Sequence, residues 1–136
     1  MNIAFFLVPK QDVVFLYDDA TLKQGLDKIR RYGFSAVPVI TRKNEYIGTV
    51  SEGDFLWYLF DGCEMKDSTK PIDGTLVRDI LSTDRNPSVK ITSSIEELFM
   101  SILNQNFIPV VDDRNLFVGI VTRKDIMKHL CRTVVR

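Results

Sequence analysis

Apolar residues recur at helical spacing in two places. Leu22, Gly25, Leu26 and Ile29 share one helix face, and Ile95, Leu98, Phe99, Ile102 and Leu103 share another. Two short apolar runs follow each stripe: 34–40 then 46–50, and 107–111 then 116–121. The connections within these pairs, TRKNE and DDRN, are rich in hairpin-turn residues. A closing helix is expected to start near Asp54 in the first series and near Asp125 in the second. A short strand is expected ahead of each first helix, at 13–17 and at about 87–91. Each series therefore reads β-α-β-β-α.

The match extends from element order to wording. YIGTVSEGD at 46–54 returns as FVGIVTRKD at 117–125, an offset of 71, and Pro38-Val39 returns as Pro109-Val110. The two helical stripes are 73 apart, so the second copy is two residues shorter between its first helix and its strand: RRYGFSAVPV against NQNFIPV. IAFFL (3–7) and VRDIL (77–81) are candidate matching lead-in segments. The polar stretch DGCEMKDSTKPIDG, 61–74, is broken by Gly and Pro and reads as a linker between a first copy at 1–60 and a second at 75–136. A unit of this size is marginal alone. The expected fold is thus α+β, two pseudo-symmetric repeats packed sheet to sheet around one joint core.

SEGD and TRKD fall at strand-to-helix junctions. A Ser or Thr there accepts from free helix amides, and an acid three residues on returns the bond. The same groups suit a ligand. Free N–H groups and a hydroxyl can hold a phosphate, and an ionised Asp, acceptor-only, suits the two hydroxyls of a ribose. Proline removes a ladder donor, so Pro38 and Pro109 read as strand-edge breaks, or as an edge facing a ligand. Arg123 and Lys124 attract phosphate where Glu52 repels it, which favours the Thr122/Asp125 end.

Composition removes several alternatives. Formal net charge is zero and the sequence pI is about 6.6, without the basic excess of a general nucleic-acid binder. Cys63 and Cys131 are unpaired in spacing, and with the one histidine, His129, they make no zinc pattern; they read as free, partly buried thiols in a reducing cytosol. There is no P-loop pattern and no nucleophile–base pair, so an enzyme is not expected. The apolar run Ile3 to Val8 is too short for a signal or a membrane span, which gives the expectation of a cytoplasmic protein without membrane or nucleic-acid partners. FLWYLF, 55–60, wraps a full helical turn in apolar side chains. It reads either as deeply buried or as a self-complementary surface with Phe55, Trp57 and Tyr58 at a homodimer contact.

GFSAVPVITRKNEYIGTVSEGDF and NFIPVVDDRNLFVGIVTRKDI resemble the two halves of a cystathionine-β-synthase (CBS) domain pair, or Bateman module, from about Ile3 to about Leu130. The resemblance implies two units with clefts that bind adenosine-containing ligands: AMP, ADP, ATP, S-adenosylmethionine or cyclic di-AMP. It puts the ribose carboxylate on Asp54 and Asp125 and the hydroxyl on Ser51 and Thr122. The strand residues at the ligand fall on Ala36, Val37 and Pro38, and on Ile108 and Pro109; the early strands line the base near Val14 and near Ser88. The two-residue shortening before Phe107 bears on the base pocket of the second half. The reading is a regulatory module with no cofactor and no metal, sensing an adenine nucleotide and signalling to an unnamed partner protein. The alternatives are a cyclic di-AMP sensor of the free-standing bacterial type and a structural dimerisation module with degenerate clefts.

Overall fold

The computed structural model describes residues 1–64 and 74–134. Most of the expected linker, including 65–73, lies outside them. Its first residues do not behave as linker: the second helix continues to Glu64. Contacts divide the chain into two compact units, Val14–Arg85 and a second made of Met1–Val13 with Asn86–Arg136.

In the unit Val14–Arg85, strand β2 (Leu16–Tyr17) leads into helix α1 (Leu22–Tyr32). Strands β3 (Ala36–Ile40) and β4 (Tyr46–Ser51) form a hairpin, and helix α2 (Glu52–Glu64) closes the unit. The sheet order is β2-β3-β4, parallel then antiparallel. Thr21 starts α1 with a complete capping box: its Oγ1 accepts from Gln24 N (3.1 Å) and Gln24 Oε1 accepts from Thr21 N (3.0 Å). Gly33 ends it in the left-handed conformation, its N–H donating to Ile29 O at 2.9 Å.

The second unit repeats the pattern with β5 (Val89–Lys90), α3 (Ile95–Asn104), β6 (Phe107–Val111), β7 (Phe117–Thr122) and α4 (Arg123–Val134). Strand β1 (Val8–Pro9) adds to it, giving the order β1-β7-β6-β5. The expected elements are all present. The shortening is divided: α3 has ten residues against eleven in α1, and the connection to the next strand is Gln105–Asn106 against Gly33–Ser35. Asn44 and Asn115, both at positive φ (68° and 65°), turn the two hairpins.

Each copy builds its core from the same positions. Leu22, Ile29, Val37, Val39, Val50 and Phe55 are buried in one; Ile95, Ile102, Ile108, Val110, Val121 and Ile126 are buried in the other. Each such side chain contributes about 1.5–3 kcal/mol of burial. The stripe expected on α3 is narrower than the sequence suggested. Leu98 is buried, whereas Phe99 and Leu103 are exposed (41% and 67%).

The lead-in segments cross over. Ile3, in a 3-10 turn before the first copy, is fully buried in the core of the second; Val77, before the second copy, is fully buried in the core of the first. Their backbone bonds match. Ile3 N donates to Ser93 O (3.1 Å) as Val77 N donates to Ala20 O (2.8 Å), and Ile95 N donates to Met1 O (2.9 Å) as Leu22 N donates to Thr75 O (3.1 Å). The crossing explains the repeated glycine. A Cβ on Gly119 would lie 2.1 Å from Val8 O, and one on Gly48 would lie 2.1 Å from Leu81 Cδ1 and 2.6 Å from Ser82 O. Glycine stands where the other copy's lead-in lies against the strand.

Candidate functional site

Both junctions are helix caps. At the start of α2, Ser51 Oγ accepts from Asp54 N (3.2 Å) and Asp54 Oδ2 accepts from Ser51 N (2.8 Å), a closed reciprocal cap. At the start of α4, Thr122 Oγ1 accepts from Asp125 N, also at 3.2 Å. Each helix is tied to the segment before its partner strand in the same way: Glu52 N to Ser35 O and Arg123 N to Asn106 O, both 2.9 Å.

The carboxylates differ. Asp54 receives a two-pronged bond from Arg85, Nη1 to Oδ2 at 2.9 Å and Nη2 to Oδ1 at 3.3 Å. Its side chain is 16% exposed, so the pair is only partly screened. Asp125 is half-buried, and among the described residues its carboxylate makes no hydrogen bond or ion pair. The Thr122 hydroxyl accepts one bond and keeps its own proton to donate. Arg123 donates to Asn106 Oδ1, and Lys124 is exposed. From Asn106, an open groove of about 740 Å³ runs along α4 past Arg123, Lys124 and Lys128 to Arg132. The last three of these cations are four residues apart and share a face. This end of the second copy has one carboxylate acceptor amid an excess of positive charge.

The other residues named from the sequence fall into the same two groups. Ile108 and Pro109 lie on β6 beside Thr122, Arg123 and Asp125, with Ser88 exposed just before β5, all in the second unit. Val14, Ala36, Val37 and Pro38 lie with Ser51 and Asp54 in the unit Val14–Arg85. Val37 (1% exposed) and Ile108 (0%) point into their cores, so only their backbone is available to a ligand.

The prolines do not stand on edge strands, since β3 and β6 are interior to their sheets. They stand just short of where the neighbouring parallel strand begins, β2 pairing from Val39 and β5 from Val110. Thr49, opposite Pro38, bonds outward to Ser82 (3.2 and 3.3 Å), so this is a non-hydrogen-bonded pair and no ladder donor is lost.

Two other expectations are corrected. Phe55 is 1% exposed and belongs to the core, so it is no surface anchor; Tyr58 is half-buried, with its hydroxyl 2.8 Å from Thr75 Oγ1. Leu56, Trp57 and Phe60 are the exposed members of that helix (67%, 65% and 48%). Cys131 is exposed rather than partly buried, and the side chain of Cys63 lies outside the described residues.

Arg85 was missed, and so were its supports. Tyr46 Oη lies 2.8 Å from Thr49 Oγ1 and donates to Arg85 O at 3.4 Å. Burial pushes the Tyr46 hydroxyl up to about 12, against the opposing pull of the Thr49 bond. The signal was present in the register. The repeat pairs Tyr46 with Phe117 and Thr49 with Ile120, so a polar pair stands in one copy where an apolar pair stands in the other.

The CBS domain profile matches residues 7–61 and 77–132. Cyclic di-AMP receptor B of Bacillus subtilis is 26% identical over 129 residues, covering 95% of this chain and 86% of that protein. The crystal structure of CbpB in complex with c-di-AMP superposes with a TM-score of 0.87 at 27% identity, over 99% of this chain and 87% of that one. Inosine-5′-monophosphate dehydrogenase of Methanocaldococcus jannaschii is 23% identical over 119 residues; these cover 88% of this chain but 22% of the dehydrogenase. The chain thus spans about a fifth of that enzyme's length. No helix among the described residues is long and apolar enough to cross a membrane.

Proposed function

We propose that this chain, which belongs to the CBS domain family, is a regulatory module that senses an adenine nucleotide of the AMP, ADP or ATP class and signals to a partner protein. The start of α4 carries the reading. It offers a donor hydroxyl at Thr122, a carboxylate at Asp125 without a partner among the described residues, and the cations Arg123 and Lys124. These fit the parts of a nucleotide: the carboxylate accepts from the ribose hydroxyls, and the hydroxyl, cations and helix N-terminus meet the phosphate. Ile108, Pro109 and Ser88 supply the strand wall beside it. Ser51, Asp54, Ala36, Val37, Pro38 and Val14 form the matching set in the first copy.

A second reading is favoured by a specific observation. The relatives at 26% and 27% identity are a cyclic di-AMP receptor and a protein crystallised with c-di-AMP, which supports a dinucleotide as the ligand. Neither reading assigns the chain a catalytic residue, a cofactor or a metal, and both place it in the cytoplasm. Leu56, Trp57 and Phe60 are the surface through which a homodimer would form.

The test is thermal denaturation with AMP, ATP and cyclic di-AMP in turn. A ligand at a hundred times its Kd adds about 2.7 kcal/mol of stability, so the sensed nucleotide raises the melting temperature and the panel ranks the candidates. No rise with any of them overturns the sensor reading in favour of a structural module.

A further inference from the structure

We infer that Arg85 is a built-in competitor for the first copy's nucleotide site: its guanidinium occupies the Asp54 carboxylate, so that this copy stays closed while the second copy binds. The inference rests on the nucleotide reading above and concerns which of the two sites that reading names is open.

The contact is geometrically fitted rather than incidental. The two terminal guanidinium nitrogens each donate to one carboxylate oxygen, at 2.9 and 3.3 Å, the parallel arrangement that suits this pair best. The arm that carries Arg85 is held at both ends. Ser82 exchanges two backbone bonds with Thr49, N to O at 3.3 Å and O from N at 3.2 Å, and Tyr46 donates to the carbonyl of Arg85 itself. Asp54 meanwhile holds the Ser51 amide, so its acceptor capacity is largely taken.

The backbone pairing is repeated in the second copy, where Val8 pairs antiparallel with Ile120 as Ser82 pairs with Thr49, but the side chains are not. The lead-in segments correspond at an offset of 74, as Ile3 to Val77 and Leu7 to Leu81 show, and at that offset Arg85 meets Gln11. Tyr46 meets Phe117, and Thr49 meets Ile120. The guanidinium and the hydroxyl that steadies its backbone are both private to the first copy. A ribose can reach Asp54 only after Arg85 has left, so the apparent affinity there falls by the fraction of molecules in which it has left.

Calorimetric titration with AMP, which carries one adenosine and cannot bridge two sites, tests this on the full chain. Wild type is expected to bind one AMP per chain, with the affinity lowered roughly ten- to a hundredfold by Asp125→Ala. Arg85→Gln, which installs the second copy's residue, is expected to bind two, and Asp54→Asn added to it returns the count to one. At the first site the affinity rises at least tenfold over wild type. Arg85→Ala serves as a second variant, and a single cooperative melt with the wild-type circular dichroism spectrum certifies the fold of either. Two AMP per wild-type chain, or an unchanged count and affinity in both folded variants, overturns the competitor while leaving the nucleotide reading standing. No binding of AMP or cyclic di-AMP by wild type or by either variant overturns the nucleotide reading, and the competitor with it.

Discussion

The two copies share a cap and differ in what the cap has left to offer. Around Asp54, the Ser51 amide and the Arg85 guanidinium consume the carboxylate, and Tyr46 and Thr49 brace the arm that brings the arginine in. Around Asp125 the hydroxyl cap is the same length, 3.2 Å, but the carboxylate has no partner among the described residues. Phe117 and Ile120 fill the space of the bracing pair with hydrocarbon. A duplicated motif has thus kept its local geometry, while residues some thirty positions away in sequence decide whether it is satisfied from within.

The largest expected effect probes where the copies are alike. Gly119→Ala puts a Cβ 2.1 Å from a backbone oxygen, which cannot yield without moving β1. A loss of about 3 kcal/mol or more in urea unfolding is expected. Gly48→Ala is expected to cost less: its nearest atom is the flexible end of Leu81, and the backbone oxygen it meets, Ser82 O, lies at 2.6 Å rather than 2.1 Å. Equal losses would show that the two lead-ins are held with equal stiffness.

The next effect belongs to the first copy alone. The Tyr46 hydroxyl titrates near 10 in an unfolded chain and at about 12 in the fold. The folded state therefore holds its proton more tightly. This contribution is fully present below pH 10 and is lost as pH rises through 12, a decline of about 2–3 kcal/mol. Tyr46→Phe, which copies the second repeat, should flatten that part of the curve of stability against pH. An unaltered curve would assign the loss elsewhere.

Ligand affinity gives the sharpest contrast. Losing hydrogen bonds to a charged group costs about 1.5–3 kcal/mol, so Asp125→Ala should weaken AMP or cyclic di-AMP binding by roughly ten- to a hundredfold. Asp54→Ala should change it little in calorimetry. The reverse ranking would exchange the roles of the two copies.

The smallest expected difference lies in the caps. Ser51→Ala removes one side of a closed box and should cost about 1 kcal/mol; Thr122→Ala, where the Asp125 carboxylate returns no bond among the described residues, should cost a few tenths less. Thermal melts of both variants would resolve the order.

Elements carried by local pattern were legible in the sequence. The hairpin strands β3, β4, β6 and β7, the turns at Asn44 and Asn115, and the helix starts near Asp54 and Asp125 follow from periodicity and turn chemistry. Strand β1 (Val8–Pro9) was not legible, because its pairing is with β7, far along the chain. Pairing the two caps required only the repeat. What sequence hid was set by partners distant in the chain. Phe99 and Leu103 fit the α3 stripe by spacing, yet α3 buries only the Ile95, Leu98 and Ile102 edge. Phe55 sat in an apolar run whose sides could not be told apart until β4 fixed the direction of α2. Arg85 lay in a polar segment, and nothing local marks it as the partner of a carboxylate thirty-one residues earlier.

The crossed lead-ins bear on how such a chain could have arisen and how it could be cut. Severed between its copies, it would give two fragments, each carrying the plug for the other's core and missing its own. A lone ancestral repeat would have faced the same deficit, and two molecules would meet it by swapping their leading segments. The present chain has the connectivity such a swapped dimer acquires when its two genes are fused end to end. A permutant reading 86–136, then 1–13, then 14–85 would make each compact unit a continuous stretch of chain.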